Sequence, residues 1–194
     1  NRVRSTGPVY NRIKTVLRSP TDGLIRACDI ELCYLILADG RIVRDQTFTM
    51  RRKTILADST EWHATPNGVY RGVVPLGFEA GLRSLDIRDI ITSRTGQVWV
   101  ATAGGVHQWV DDRFEPWQTG GGFPAANAIL TDRENRIWAA TDAGLFVYNG
   151  VEFNEIGGLP DTPVLDLDLS SDGTLRVLFE DEVYRRIAVE TFES

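Results

Sequence analysis

Val98-Trp99-Val100-Ala101-Thr102-Ala103-Gly104-Gly105-Val106 and Ile137-Trp138-Ala139-Ala140-Thr141-Asp142-Ala143-Gly144-Leu145 are two copies of one phrase, 39 residues apart. The same offset carries Phe114 onto Phe153 and Ile90 onto Ile129. A third copy, Trp62-His63-Ala64-Thr65-Pro66-Asn67-Gly68-Val69-Tyr70, stands 37 residues upstream of the first. A fourth, Ile25-Arg26-Ala27-Cys28-Asp29-Ile30-Glu31-Leu32-Cys33, aligns without gaps, and a degenerate fifth runs from Arg176-Val177-Leu178-Phe179 to Val183-Tyr184. The anchors fall at 25, 62, 99, 138 and 176, so units of about 38 residues fill the chain. Their bounds are about residues 10–48, 49–84, 85–123, 124–162 and 163–194.

Each unit reads as four short strands. In the third, Asp89–Thr92, Val98–Thr102, Val106–Val110 and Arg113–Trp117 are apolar or β-branched runs. Between them stand Ser93-Arg94-Thr95-Gly96, Ala103-Gly104 and Asp111-Asp112, whose residues supply or tolerate turn angles. A sustained helical period is absent. The fold class this predicts is all-β: a β-propeller of about five four-stranded blades of 37–39 residues, forming one domain over 1–194. Thr65, Thr102 and Thr141 end the second strand before a hairpin containing Gly68, Gly105 or Gly144, where a positive φ or close approach excludes a Cβ. Trp62, Trp99 and Trp138 fall mid-blade, where neighbouring blades would press on them, and are read as core.

Composition is that of a globular protein: 194 residues, 25% charged and 42% hydrophobic. It excludes disordered, collagen-like and disulfide-dense classes. The longest apolar stretch, Leu32–Ala38, falls far short of the roughly 20 residues of a membrane span. The net charge of −6 conceals an asymmetry. Residues 1–53 hold 11 Lys/Arg and 5 Asp/Glu, net +6, and residues 54–194 hold 10 and 22, net −12. A closed ring would set the basic start beside the acidic end. The cluster Arg51-Arg52-Lys53 reads as a solvated loop between the first two units, and the spread of the bases argues against a nucleic-acid partner. The only Met is Met50, as expected of a processed secreted chain, a lipoprotein or a fragment.

The units resemble the two-component regulator propeller repeat. The fourth carries its pattern as Asp132, Asn135, Ile137-Trp138, Thr141, Gly144-Leu145, Tyr148 and Phe153, and the third as Gly96, Val98-Trp99, Thr102, Gly105-Val106, Trp109 and Phe114. Gly158-Leu159-Pro160 and Gly122-Phe123-Pro124 match the family's loop into the innermost strand. The match is good over about 85–165, partial over 54–84 and faint at both ends, where Arg26 and Arg176 stand in or beside the aromatic slot. The resemblance implies the sensing part of a bacterial signalling protein, periplasmic or extracellular, with motif residues that are structural rather than catalytic. Family rings usually have seven blades, so five either close a small ring or form part of a larger one.

Propellers usually bind on the face bearing the fourth-to-first and second-to-third strand loops. That face would carry Arg83, Trp117, Phe123, Asn127, Asp142 and Asp161, the candidate ligand-binding residues. Asp166 and Asp168 alternate on one strand and are weak candidates for a cation site on a channel wall. The two histidines, His63 and His107, occupy non-equivalent positions, and no nucleophile turn or His cluster supports catalysis. No cofactor is expected. Cys28 and Cys33 are either two buried small apolar residues or a disulfide, because a four-residue hairpin loop would set them opposite one another. The sequence therefore predicts a noncatalytic recognition or assembly module that binds a protein partner or small ligand, with oligomers compatible. A glycan-binding propeller and a metal-dependent propeller hydrolase or lyase are the alternatives.

Overall fold

In the computed structural model the described residues are 15–18, 25–28, 33–45, 52–56, 59–118, 122–180 and 185–187. They form nineteen strands and one 3-10 turn, Phe78–Ala80, in five antiparallel sheets. The first sheet comprises β1 (Thr15–Arg18), β2 (Ile25–Cys28), β3 (Cys33–Ile36) and β4 (Ile42–Asp45). The second holds β5 (Arg52–Ile55), β6 (Glu61–Thr65), β7 (Gly68–Arg71) and β8 (Val74–Leu76). The third holds β9 (Ile87–Thr92), β10 (Val98–Thr102), β11 (Gly105–Val110) and β12 (Arg113–Trp117). The fourth holds β13 (Ala126–Thr131), β14 (Ile137–Thr141), β15 (Gly144–Tyr148) and β16 (Phe153–Glu155). Three strands of the fifth are described, β17 (Val164–Leu169), β18 (Leu175–Phe179) and β19 (Arg185–Ile187). Every sheet is a meander in chain order, and β5, β9, β13 and β17 run side by side as inner strands. β1 lies beside β8. Arg52 and Lys53 correct the expected inter-unit loop: they open an inner strand, and Arg51 lies outside the described residues.

The hairpin phrase works as a clamp. Thr65, Thr102 and Thr141 each pair across the turn with Gly68, Gly105 and Gly144. Each Oγ1 donates to the opposite glycine carbonyl at 2.8, 2.9 and 2.9 Å. Each also accepts a turn amide, from Asn67, Gly104 or Ala143, at 3.1, 2.9 and 3.1 Å. The glycines have φ of 119°, 102° and 117°, the left-handed region that a Cβ penalises. Threonine thus joins β propensity to a side-chain bond that fixes the turn.

Alternation along the second strand gives the third and fourth sheets two buried faces. Val98 and Val100 pack toward the second sheet with Trp62, Ala64 and Phe114. Trp99 and Ala101 pack toward the fourth with Ile129, Ala139 and Phe146. Trp138 and Ala140 pack toward the fifth with Leu167, Leu175 and Val177. The three tryptophans are 2%, 0% and 1% exposed, as the repeat predicts. A fully buried indole contributes about 4–6 kcal/mol of transfer free energy. Trp62 meets Trp109 edge-on at 5.1 Å, and Trp99 meets Tyr148 at 5.1 Å and Trp117 at 6.1 Å.

The indole nitrogens are served unequally. Trp138 Nε1 donates to Asp132 Oδ2 at 2.8 Å, and Arg136 Nε reaches the same carboxylate oxygen at 2.7 Å. The equivalent of Asp132 in the third sheet is Ser93, that of Arg136 is Gln97, and Trp99 Nε1 is buried with no acceptor among the described residues. An unmet buried donor costs about 1–3 kcal/mol. Transplanting the whole set as S93D/Q97R is expected to raise stability by about 1–2 kcal/mol in urea unfolding. S93D alone, lacking the counter-charge, gains less. In the first sheet the register sets Cys28 directly opposite Cys33. Their side chains lie outside the described residues. The register leaves both readings of the pair, and thiol titration in denaturant without reductant separates them: two free thiols for buried cysteines, none for a disulfide.

Candidate functional site

The site begins with an irregularity the sequence did not reveal. In the third sheet the register steps from Ala101↔Asp89 to Thr102↔Ile87, which leaves Arg88 as an extra residue. The same step leaves Asn127 unpaired in β13 and Leu165 in β17. A bulge twists its strand and re-aims the extra side chain. Here it turns Arg88 and Asn127 toward neighbouring sheets, at the end of the inner strands beside the Thr–Gly hairpins. Arg88 Nη1 donates to Asn127 Oδ1, and Arg88 Nε lies 3.4 Å from Asp86 Oδ2. Asn127 Nδ2 donates to Asp142 Oδ1 at 2.9 Å and to the Val164 carbonyl at 2.8 Å. A polar chain, Asp86–Arg88–Asn127–Asp142, therefore spans the third and fourth sheets and touches the fifth. Asp142 is exposed at its outer end, and the other three are partly buried.

Beside it the loop before β9 is locked down. Gly81, with φ of 95°, lies so close to β12 that a Cβ would stand 2.2 Å from the Phe114 carbonyl oxygen, which excludes any larger residue. The Arg83 backbone N–H donates to His107 Nε2 at 3.1 Å, and His107 Nδ1 lies 3.2 Å from the Gly105 carbonyl. This arrangement fits the neutral tautomer with its proton on Nδ1. The Arg83 guanidinium, exposed, covers the Phe123 ring at 3.9 Å. Burial is the main cause that pushes the His107 pKa from 6.5 down to about 4.

The structure divides the sequence-derived candidates. Two pairs form: Arg83 with Phe123, and Asn127 with Asp142. Trp117 does not join them: its ring lies among Trp99, Tyr148 and Phe153 between sheets, with Nε1 on Gln108 Oε1 at 3.1 Å. Asp161 is exposed in the turn leading to β17. Asp166 and Asp168 are exposed on β17, on the side turned away from the fourth sheet. Their neighbour Leu167 supplies the side packed against the fourth sheet. Asp168 is paired with Arg176 at 3.5 Å, and no cluster of three metal-ligating side chains occurs among the described residues. Arg88 was missed because a basic residue in a β-run carries no mark of a bulge.

The fold is that of the β-propellers, and solved structures of similar fold agree. The extracellular domain of a hybrid two-component system from B. thetaiotaomicron superposes with a TM-score of 0.60 at 16% identity, over 91% of this chain and 27% of that one. The WD40 β-propeller domain of Doa1 gives 0.58 at 12%, over 88% and 62%. Virginiamycin B lyase from Staphylococcus aureus gives 0.54 at 12%, over 93% and 71%. The chain thus spans about a quarter of the sensor domain and less than two thirds of the WD40 domain. No family model and no curated protein sequence matches it. Among the described residues no helix is long and apolar enough to cross a membrane.

His107 links stability to pH. It is neutral when folded down to about pH 4, whereas in the unfolded chain it takes a proton near 6.5, so the unfolded state binds more protons between these values. Its contribution to stability is complete above about pH 6.5 and is lost as pH falls toward 4, on the order of 3 kcal/mol across the window. H107F, which copies Phe146 of the next sheet, is expected to flatten the pH profile of urea stability in that window. An unchanged profile would show that His107 is not the group responsible.

Proposed function

We propose that this chain is a noncatalytic recognition module. It binds a protein segment or small ligand over the face where Asp86, Arg88, Asn127 and Asp142 adjoin Arg83 and Phe123. The observation that carries this reading is the pair of bulges that draw Arg88 and Asn127 out of their sheets. Bulges re-aim side chains, and here the re-aimed groups form a polar array on strands held rigid by three aromatic interfaces. The array holds donors and acceptors of both signs next to a guanidinium-capped ring, which suits a peptide backbone with polar side chains. The fold shared with sensor extracellular domains supports a sensory or scaffold role in a bacterial two-component regulator propeller, outside the cytoplasm. A sugar ligand is the second reading, favoured by the Phe123 ring beneath the Arg83 guanidinium.

The test is selection of a displayed random-peptide library on the full chain alone, with each enriched binder then measured on R88A/N127A. Binders enriched on the wild type are expected to lose affinity at least about tenfold on the variant, for lost charge-assisted hydrogen bonds of about 1.5–3 kcal/mol. Binders that hold equally to both would place recognition elsewhere. Binding of arrayed glycans that disappears with F123A would favour the sugar reading.

A further inference from the structure

Three sheets carry an indole on the second strand, and the fourth shows what its N–H requires. There Trp138 Nε1 donates to Asp132 Oδ2 at 2.8 Å, Arg136 Nε stands 2.7 Å from the same oxygen, and the Arg136 guanidinium lies 5.6 Å from the Trp138 ring centre. The second sheet repeats this arrangement with the carboxylate left out. Its first turn has the same backbone. The Leu56 amide donates to the Thr60 carbonyl as that of Asp132 does to Arg136, and the Ser59 amide donates to the Leu56 carbonyl as that of Asn135 does to Asp132. Ser59 and Asn135 share a left-handed φ, 66° and 63°. Leu56 therefore stands in the place of Asp132, and Thr60 in that of Arg136. The positive charge comes from another strand: Arg71 is paired across from Trp62, and its guanidinium lies 5.6 Å from the Trp62 ring centre.

Trp62 is buried, and its Nε1 has no acceptor among the described residues. Leu56, the counterpart of the missing acid, lines a recess of about 210 Å³ together with Trp62, Thr60, Arg71, Gln97 and Trp109. The recess lies between the second and third sheets, at the end of their strands away from the Thr–Gly hairpins. Arg71 is the one charged residue among the described residues that line it. Thr60, Arg71 and Trp109 also line a neighbouring cleft of about 760 Å³, which adds the apolar side chains of Val73, Val74 and Leu76. That volume falls within the roughly 300–1,000 Å³ of small-molecule sites.

We propose that the recess binds a small monocarboxylate with an apolar tail. The carboxylate takes the place that Asp132 fills in the fourth sheet and accepts the Trp62 indole N–H and the Arg71 guanidinium. The tail lies along Trp109, Val73 and Val74. The donors select an oxyanion, because a buried indole N–H beside a guanidinium, within apolar walls, favours a charged acceptor over a neutral one. Asp112 Oδ1 holds Arg71 Nη1 at 3.2 Å, but both side chains of that pair are exposed, so a ligand displaces it at little cost. The acids of the outer cleft, Glu61 and Asp112, do not line the recess. This site is separate from the recognition face and stands or falls independently of it.

Indole N–H resonances of the isotope-labelled full chain test the proposal, with hexanoate as the probe. Hexanoate is expected to move the Trp62 Nε1–H resonance, assigned by through-bond correlation, downfield and saturably. Hexanamide, which has the same tail without the charge, is expected to bind at least about tenfold more weakly, and R71Q is expected to weaken hexanoate by a similar factor. L56D supplies the missing acid from the chain itself: it is expected to shift the Trp62 resonance without ligand and to abolish the response to hexanoate. Should L56D fail to fold, R71Q, at an exposed side chain, decides alone. A Trp62 resonance that hexanoate leaves unmoved, that hexanamide moves at the same concentrations, or that responds unchanged in R71Q overturns the proposal.

Discussion

The rest of the structure depends on one contact, made three times: an indole on the second strand of a sheet pressed into the next sheet. Trp62, Trp99 and Trp138 each fill the space between two meanders that are too thin to stand alone. A single twisted four-stranded sheet has two faces to bury and no helix to cover either. Stacking solves this by letting odd residues of a strand face one neighbour and even residues the other. That is why β10 and β14 are buried along their whole length.

Rigidity in the stack is what makes a polar array useful. Arg88 and Asn127 would cost more to order on a mobile loop than their hydrogen bonds return. On inner strands clamped between aromatic clusters that entropy is already lost during folding. The His107 tether to Arg83 and the tight passage of Gly81 under β12 extend the same economy of motion to the neighbouring loop. The polar chain thus sits on strands packed between buried aromatic clusters. The fifth sheet departs from the repeat: its Trp position holds Arg176, paired with Asp168 on an exposed face.

The repeat phrase alone defined the strands, the hairpins and the buried tryptophans, because each depends on local spacing. Period-2 alternation, a Thr before a Gly turn and a large ring mid-strand all leave marks in sequence. Even the charged slot at Arg176 was visible as a break in the pattern. Asn127 and Asp142 were found by reckoning which loops share a face. Trp117 was assigned to that face for the same reason. Yet a ring at a strand end can turn inward, and only the packing of Trp99 and Tyr148 determines that it does.

Sequence by itself determined that this is a stack of β meanders held by aromatic side chains, since those forces act within about 40 residues and repeat. Tertiary structure decided the rest. The inner-strand bulges, the link from Arg88 through Asn127 to Val164, and the bond from the Ile129 amide to Asp89 all arise between sheets. Contacts between residues 37 to 40 positions apart leave no local trace, because each partner alone looks like an ordinary polar residue in a strand.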